Sequence, residues 1–220
     1  MKEETKSKIK DIIEWIVCIL IALIIAIAFR YYIGTPTIVQ MPSMRPTLEP
    51  DQRLWLNRWV RTTKKMPERG DIITFEAPLK EKLTLSMTEV KENPVARYDE
   101  TNKGFWGNFS YYVLEIGKTS YIKRVIGLPG DHVIISSGKV YVNNELLEEP
   151  YLQSGVVTDN GNGNCVDVIV PENCIYALGD NRAQSTDCRN FGCVPLERIE
   201  SKVWIRIWPL NLFGPIKNVS

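Results

Sequence analysis

Histidine is nearly absent from this chain: His132 is the only one in 220 residues. That excludes a metal centre built on several imidazoles, and any catalytic triad would have to use His132 as its base. A surplus of one charge is also missing. Against 27 Lys+Arg stand 26 Asp+Glu, a formal net charge of +1. A nucleic-acid binder needs a basic excess to neutralise phosphates, so no nucleic-acid partner is expected. There are no paired CxxC units, which removes the common structural zinc pattern. Internal repeats and low-complexity tracts are missing as well. With 24% charged and 10% aromatic residues, the bulk of the chain is not disordered.

Long apolar runs are equally scarce, and the single one is decisive. Ile12 to Phe29 reads IIEWIVCILIALIIAIAF, interrupted only by Glu14 near its start. As a helix rising ~1.5 Å per residue it extends roughly 27 Å, close to the ~30 Å hydrocarbon core of a bilayer. Trp15 near one end and Arg30, Tyr31 and Tyr32 at the other supply interfacial flanks. Ala26-Ile27-Ala28 has the small-x-small form of a signal-peptide cleavage site. The length of the run and the bulky residues after it favour a retained anchor. Lysines before the span place residues 1–11 in the cytoplasm, 12–33 in the membrane and 34–220 outside it.

The extracytoplasmic part reads as mainly β. β-branched and aromatic runs at 72–75, 110–116, 121–128, 132–136, 139–143, 166–170, 175–178 and 202–208 alternate with turn signals such as Pro129-Gly130-Asp131 and Ser137-Gly138. The expectation is an antiparallel β-sheet domain with a smaller β subdomain over 131–175. A short turn is expected near Pro195–Ile199. Residues 80–118, polar and closing on Phe105, Trp106 and Phe109, read as an inserted loop or hairpin. Period-two alternation puts Trp204, Arg206 and Trp208 on one strand face, a candidate for the membrane interface together with those insert aromatics. Cys165, Cys174, Cys188 and Cys193 fall on the oxidising side; the local pairings Cys165–Cys174 and Cys188–Cys193 are set against free thiols.

Three segments carry candidate chemistry. In Pro42-Ser43-Met44-Arg45-Pro46-Thr47-Leu48, Pro46 pushes Arg45 towards extended backbone, so Ser43 sits on a stiff, non-helical segment. A nucleophile needs such fixing, although most serines beside prolines are ordinary loop residues. In Tyr121-Ile122-Lys123-Arg124-Val125-Ile126-Gly127-Leu128-Pro129-Gly130-Asp131, alternation sends Lys123 to the face of Tyr121 and Val125. Burial there would disfavour the ammonium and make the amine a general base, whereas on an exposed edge strand it would be an ordinary lysine. The third segment, Gly179-Asp180-Asn181-Arg182-Ala183-Gln184-Ser185-Thr186-Asp187-Cys188-Arg189, reads as a hydrogen-bonded polar turn.

In this order behind an N-terminal anchor, and with Gly70-Asp71-Ile72-Ile73 between the first two, the segments resemble bacterial type I signal peptidases, Gram-positive members in particular. Asn143 and Glu149-Pro150-Tyr151-Leu152 add to the likeness. The resemblance implies Ser43 as nucleophile, Lys123 as general base and Ser185 as the hydroxyl that orients the lysine. It implies that Asp180, Arg182, Asp187 and Arg189 are supporting polar and ionic residues, with Arg124 pairing one of the carboxylates. No cofactor or metal is then required, and the partners are the signal peptides of exported precursors and the lipid bilayer of the cell membrane. The chain departs from the pattern at Met41, where the family usually has Gly or Ser, at Pro42, at Cys188, where serine is common, and in the length of 80–118. Met41 removes a side-chain donor to the oxyanion, and a tethered binding protein on the same scaffold is the alternative of a different class. Self-cleavage of the repressor kind is disfavoured by the anchor, and His132, just after Gly130-Asp131, reads as a turn exit.

Overall fold

A proline-free run of helix-compatible residues, apolar from Ile12 to Phe29 apart from Glu14, gives one long helix, α1 (Lys2–Tyr32), in the computed structural model. The model describes residues 2–80, 83–101 and 103–216, and for 2–7 the backbone alone. Residues Lys8–Tyr32 are long and apolar enough to cross a membrane. The helix begins within the polar N-terminal stretch, ahead of the apolar run.

After α1 the chain is mainly antiparallel β. The main sheet runs β1 (Gly34–Ile38), β2 (Arg53–Asn57), β11 (Ile199–Trp208), β3 (Ile72–Glu76), β4 (Ser120–Gly127), β9 (Cys174–Leu178) and β10 (Val194–Pro195), with β12 (Gly214–Pro215) beside β11. A second sheet joins β7 (Glu145–Leu146), β6 (Lys139–Val142), β5 (His132–Ser136) and β8 (Asp167–Ile169). It lies within the span expected for the smaller subdomain. Alternation along β3 divides the core: Ile72 joins Met44, Leu48, Leu54 and Leu56, while Ile73 and Phe75 join Val125, Ala177 and Phe191. Short helices α2 (Trp59–Thr63) and α5 (Cys188–Phe191) and a 3-10 turn at Leu196–Arg198 complete this part.

Two expectations are corrected, and the open choice for the cysteines is decided. Among its described residues, the 80–118 insert holds neither a hairpin nor a strand. It holds α3 (Met87–Glu92), started by a Ser86–Glu89 capping box, and α4 (Gly104–Asn108), which runs on into a π-helical turn at Phe109–Val113. With Glu76 paired to Ser120, the β3 and β4 edges beside it are already taken, and the aromatic run coils instead. Trp204, Arg206 and Trp208 do not share a face. Two bulges in β11 shift the register so that Arg206 pairs with Leu54 and Trp208 with Arg53, neighbours that point to opposite sides. Finally, Cys165, Cys174, Cys188 and Cys193 are buried free thiols packed in the larger core cluster. Burial pushes the Cys165 thiol up to about 12, and these sulfurs act as small core hydrophobes.

Candidate active site

Ser43 lies in a 3-10 turn (Pro42–Met44) immediately beyond β1. Proline starts the turn, and Met44 buries its side chain in the smaller core cluster. From the other side Asn181 N–H donates to the Ser43 carbonyl (3.0 Å) and Asn181 Nδ2 to the Pro42 carbonyl (3.1 Å). The serine is therefore held by a packed neighbour and two hydrogen bonds. As a first-turn amide, Ser43 N–H has no acceptor within its turn. Met41, 69% exposed, offers no donor beside it.

Lys123 reaches Ser43 from β4, which is hydrogen-bonded on both sides by β3 and β9. That central position leaves the lysine only 3% exposed. Its Nζ lies 2.8 Å from Ser43 Oγ and 5.4 Å from the centre of the Tyr121 ring. Among the described residues no carboxylate comes within ion-pairing distance of it. Burial lowers its pKa from 10.5 to about 8, against the weaker opposing pull of Asp187 and Asp180.

Around this pair stands a layer of buried ions. Arg124, on the opposite face of β4, donates through Nε and Nη2 to Asp180 (2.9 and 2.6 Å) and through Nη1 to the Gly70 carbonyl. Thr47 Oγ1 donates to the same carboxylate at 2.5 Å, and the Tyr151 ring covers the guanidinium at 3.9 Å. Asp187 takes two donors from Arg189 (2.8 and 2.9 Å), accepts from Gly179 N–H and caps α5. Arg182 bonds the Gly179 carbonyl and Glu149. These pairs lock the 179–189 turn beneath Ser43. A Cβ on Gly179 would collide with Ser185 Oγ and the Ser43 carbonyl, so only glycine fits there.

Ser185 stands differently from the expectation drawn for it. Its Oγ is buried against Gly179 and makes no hydrogen bond to any described residue, Lys123 included. Thr47, Asn181, Tyr151 and Glu149 were not singled out as site residues from sequence. Thr47 and Asn181 lie within the segments that were; Glu149 and Tyr151 join by long-range folding. His132 is remote in role: its imidazole bonds Asp167 on the small sheet (2.6 Å).

A fixed serine with its hydroxyl against a buried lysine amine is the arrangement expected of a serine hydrolase, here behind one long apolar helix. The family model described as "Signal peptidase, peptidase S26" matches residues 12–208, and the chain belongs to that family. Among curated relatives it is 31% identical to Signal peptidase I S of Bacillus subtilis, over 96% of this chain and 97% of that one. It is 30% identical to Signal peptidase IB of Staphylococcus aureus, over 93% of each, and 31% identical to a probable signal peptidase I-2 of Synechocystis, over 88% and 72%. A crystal structure of signal peptidase I from Enterococcus faecalis is 24% identical, covering 63% of this chain and 97% of that one with a TM-score of 0.39.

Proposed function

We propose that this protein is a membrane-anchored serine endopeptidase that removes signal peptides from exported precursors, cutting after small residues. The observation that carries the reading is the 2.8 Å contact between Lys123 Nζ and Ser43 Oγ, with the amine buried. A neutral amine there accepts the Ser43 proton as Oγ attacks the scissile carbonyl. The tetrahedral oxyanion is met by Ser43 N–H, and its collapse expels the new amino terminus, which takes the proton from Lys123. In the second half the amine, neutral again, deprotonates a water that attacks the ester, and Ser43 Oγ leaves with that proton. Protons and electron pairs balance with no cofactor or metal. The 179–189 turn, through Asp180, Arg182, Asp187 and Arg189, holds the nucleophile's floor, and Arg124 ties that floor to β4. The N-terminus is cytoplasmic and the catalytic domain lies across the cell membrane from it.

The test uses full-length, detergent-solubilised protein and a synthetic precursor. Wild type yields one new amino terminus after a small residue, a serine-directed acylating probe labels Ser43, and Ser43→Ala and Lys123→Ala each abolish cleavage while thermal unfolding stays cooperative. Binding of the precursor without cleavage by wild type would instead establish the tethered binding protein.

A further inference from the structure

The insert between β3 and β4 leaves and rejoins the main sheet at the end where α1 enters it. Register fixes this: Gly34 pairs with Asn57, Asn57 with Lys202, Lys202 with Ile73 and Glu76 with Ser120. The root of the insert is tied there by Lys118, which bridges Glu76 and Glu200, and by Tyr111 Oη on Glu76. Glu115 then spans the gap to the anchor. It accepts from Arg30 in the last turn of α1 (3.0 Å) and from the buried Arg58 (2.5 Å), which also donates to the Arg30 carbonyl. Beyond this joint the insert exposes aromatic side chains, which touch one another (Phe105–Trp106, Trp106–Phe109) while Lys118 lies over the Tyr112 ring. Phe105 and Trp106 are 76% and 77% exposed, and Tyr112 and Ile116 are also exposed. Phe105 and Trp106 in α4, Tyr112 in the π-helical turn and Ile116 in the loop beyond it follow one another along the insert as a broken stripe of exposed apolar residues.

We propose that the insert is a second membrane contact, its Phe105–Trp106–Tyr112–Ile116 stripe lying in the headgroup–acyl boundary of the leaflet at the C-terminal end of α1, with Glu115 as the joint that sets it there. The occupant follows from continuity with the span, because the stripe and the last turn of α1 are fastened to each other through one carboxylate. Aromatic side chains are favoured at that depth. Such a contact adds a second point of attachment and fixes the tilt of the catalytic domain. The proposal rests on reading α1 as a span and not on the roles of Ser43 and Lys123.

The experiment uses the full chain with Cys18→Ser, the four other cysteines being buried, reconstituted in phosphatidylcholine–phosphatidylglycerol vesicles. A nitroxide is attached at Phe105→Cys, at Ile116→Cys or, as a control on an exposed residue outside the insert, at Val157→Cys. Melting curves identify variants that fold, and position 116 serves if 105 does not. The expected result is relaxation by oxygen over a water-soluble nickel chelate at 105 and 116, with the preference reversed at 157. Glu115→Gln should lower the oxygen preference at 105, and an unchanged preference would remove Glu115 from the account. Nickel preference at all three sites would overturn the membrane contact. Shielding from both agents at 105 and 116 would also overturn it, showing protein cover such as a second copy of the chain.

Discussion

Two buried lysines, five positions apart, meet opposite surroundings. Lys118, at the root of the insert, has a side chain 5% exposed and lies between Glu76 and Glu200, the latter at 2.5 Å. Lys123, in the middle of the sheet, is 3% exposed and meets the Ser43 hydroxyl and the Tyr121 ring, with no carboxylate among the described residues in ion-pairing range. The first is a charge matched by carboxylates and serves the fold. The second is an amine whose charge burial opposes, and the proposed mechanism uses it as the proton acceptor. Desolvation alone does not make a base; desolvation without a counter-ion does.

Replacing each lysine by arginine breaks the comparison most sharply. Arginine stays protonated, so Lys123→Arg should lower kcat/KM on a model precursor by roughly 10³-fold or more, whereas Lys118→Arg should stay within a few fold of wild type. Equal losses would mean that both lysines are structural. Next in size is the ion layer. Asp180→Ala strands the Arg124 guanidinium in the core and should cost about 3–5 kcal/mol in denaturant unfolding. A change within error would show that water reaches this pair.

Methionine at the two positions should move stability in opposite directions. The Lys123 pKa falls from 10.5 unfolded to about 8 folded, so at neutral pH its proton opposes folding by about 3 kcal/mol. That penalty fades as pH rises from about 8 towards 10.5. Lys123→Met should therefore raise Tm at neutral pH while losing activity, and the gain should shrink in alkali. Lys118→Met should lower stability by about 3 kcal/mol, since two buried carboxylates lose a cation. Smallest is Ser185→Ala. If this hydroxyl positions Lys123, kcat should fall about three- to tenfold and the pH midpoint should move; a structural role would change stability and leave the midpoint in place.

Much of the site could be read in the chain because its chemistry is packed into short segments. Taken singly, Ser43 reads as a loop serine, Lys123 as an edge-strand lysine and 179–189 as a polar turn; it is their order behind the anchor, and the family it resembles, that singles them out. The strands at 72–76, 120–127, 132–136 and 174–178 were legible from β-branched runs between turns. What escaped depended on partners. β1 and β2 are built from GTPTI and RLWLN, short and partly polar, and become strands by pairing with each other. The run at 110–116 has strand composition, but the β3 and β4 edges next to it are already paired on both sides. The bulges in β11 cannot be seen in alternation alone, and they send Arg206 to the Thr47 carbonyl (2.7 Å) beside the ion layer. The cysteines suggested bridges by compartment, whereas the core takes all four as packing groups.

The central claim, that Lys123 works as a neutral amine, is tested most directly by the pH dependence of kcat/KM for wild type and His132→Ala on a fluorogenic precursor peptide. Both should rise about tenfold per pH unit below about 8 and level off above it, because only the deprotonated lysine can take the Ser43 proton. A rising limb in the imidazole range that vanishes in His132→Ala would contradict the account.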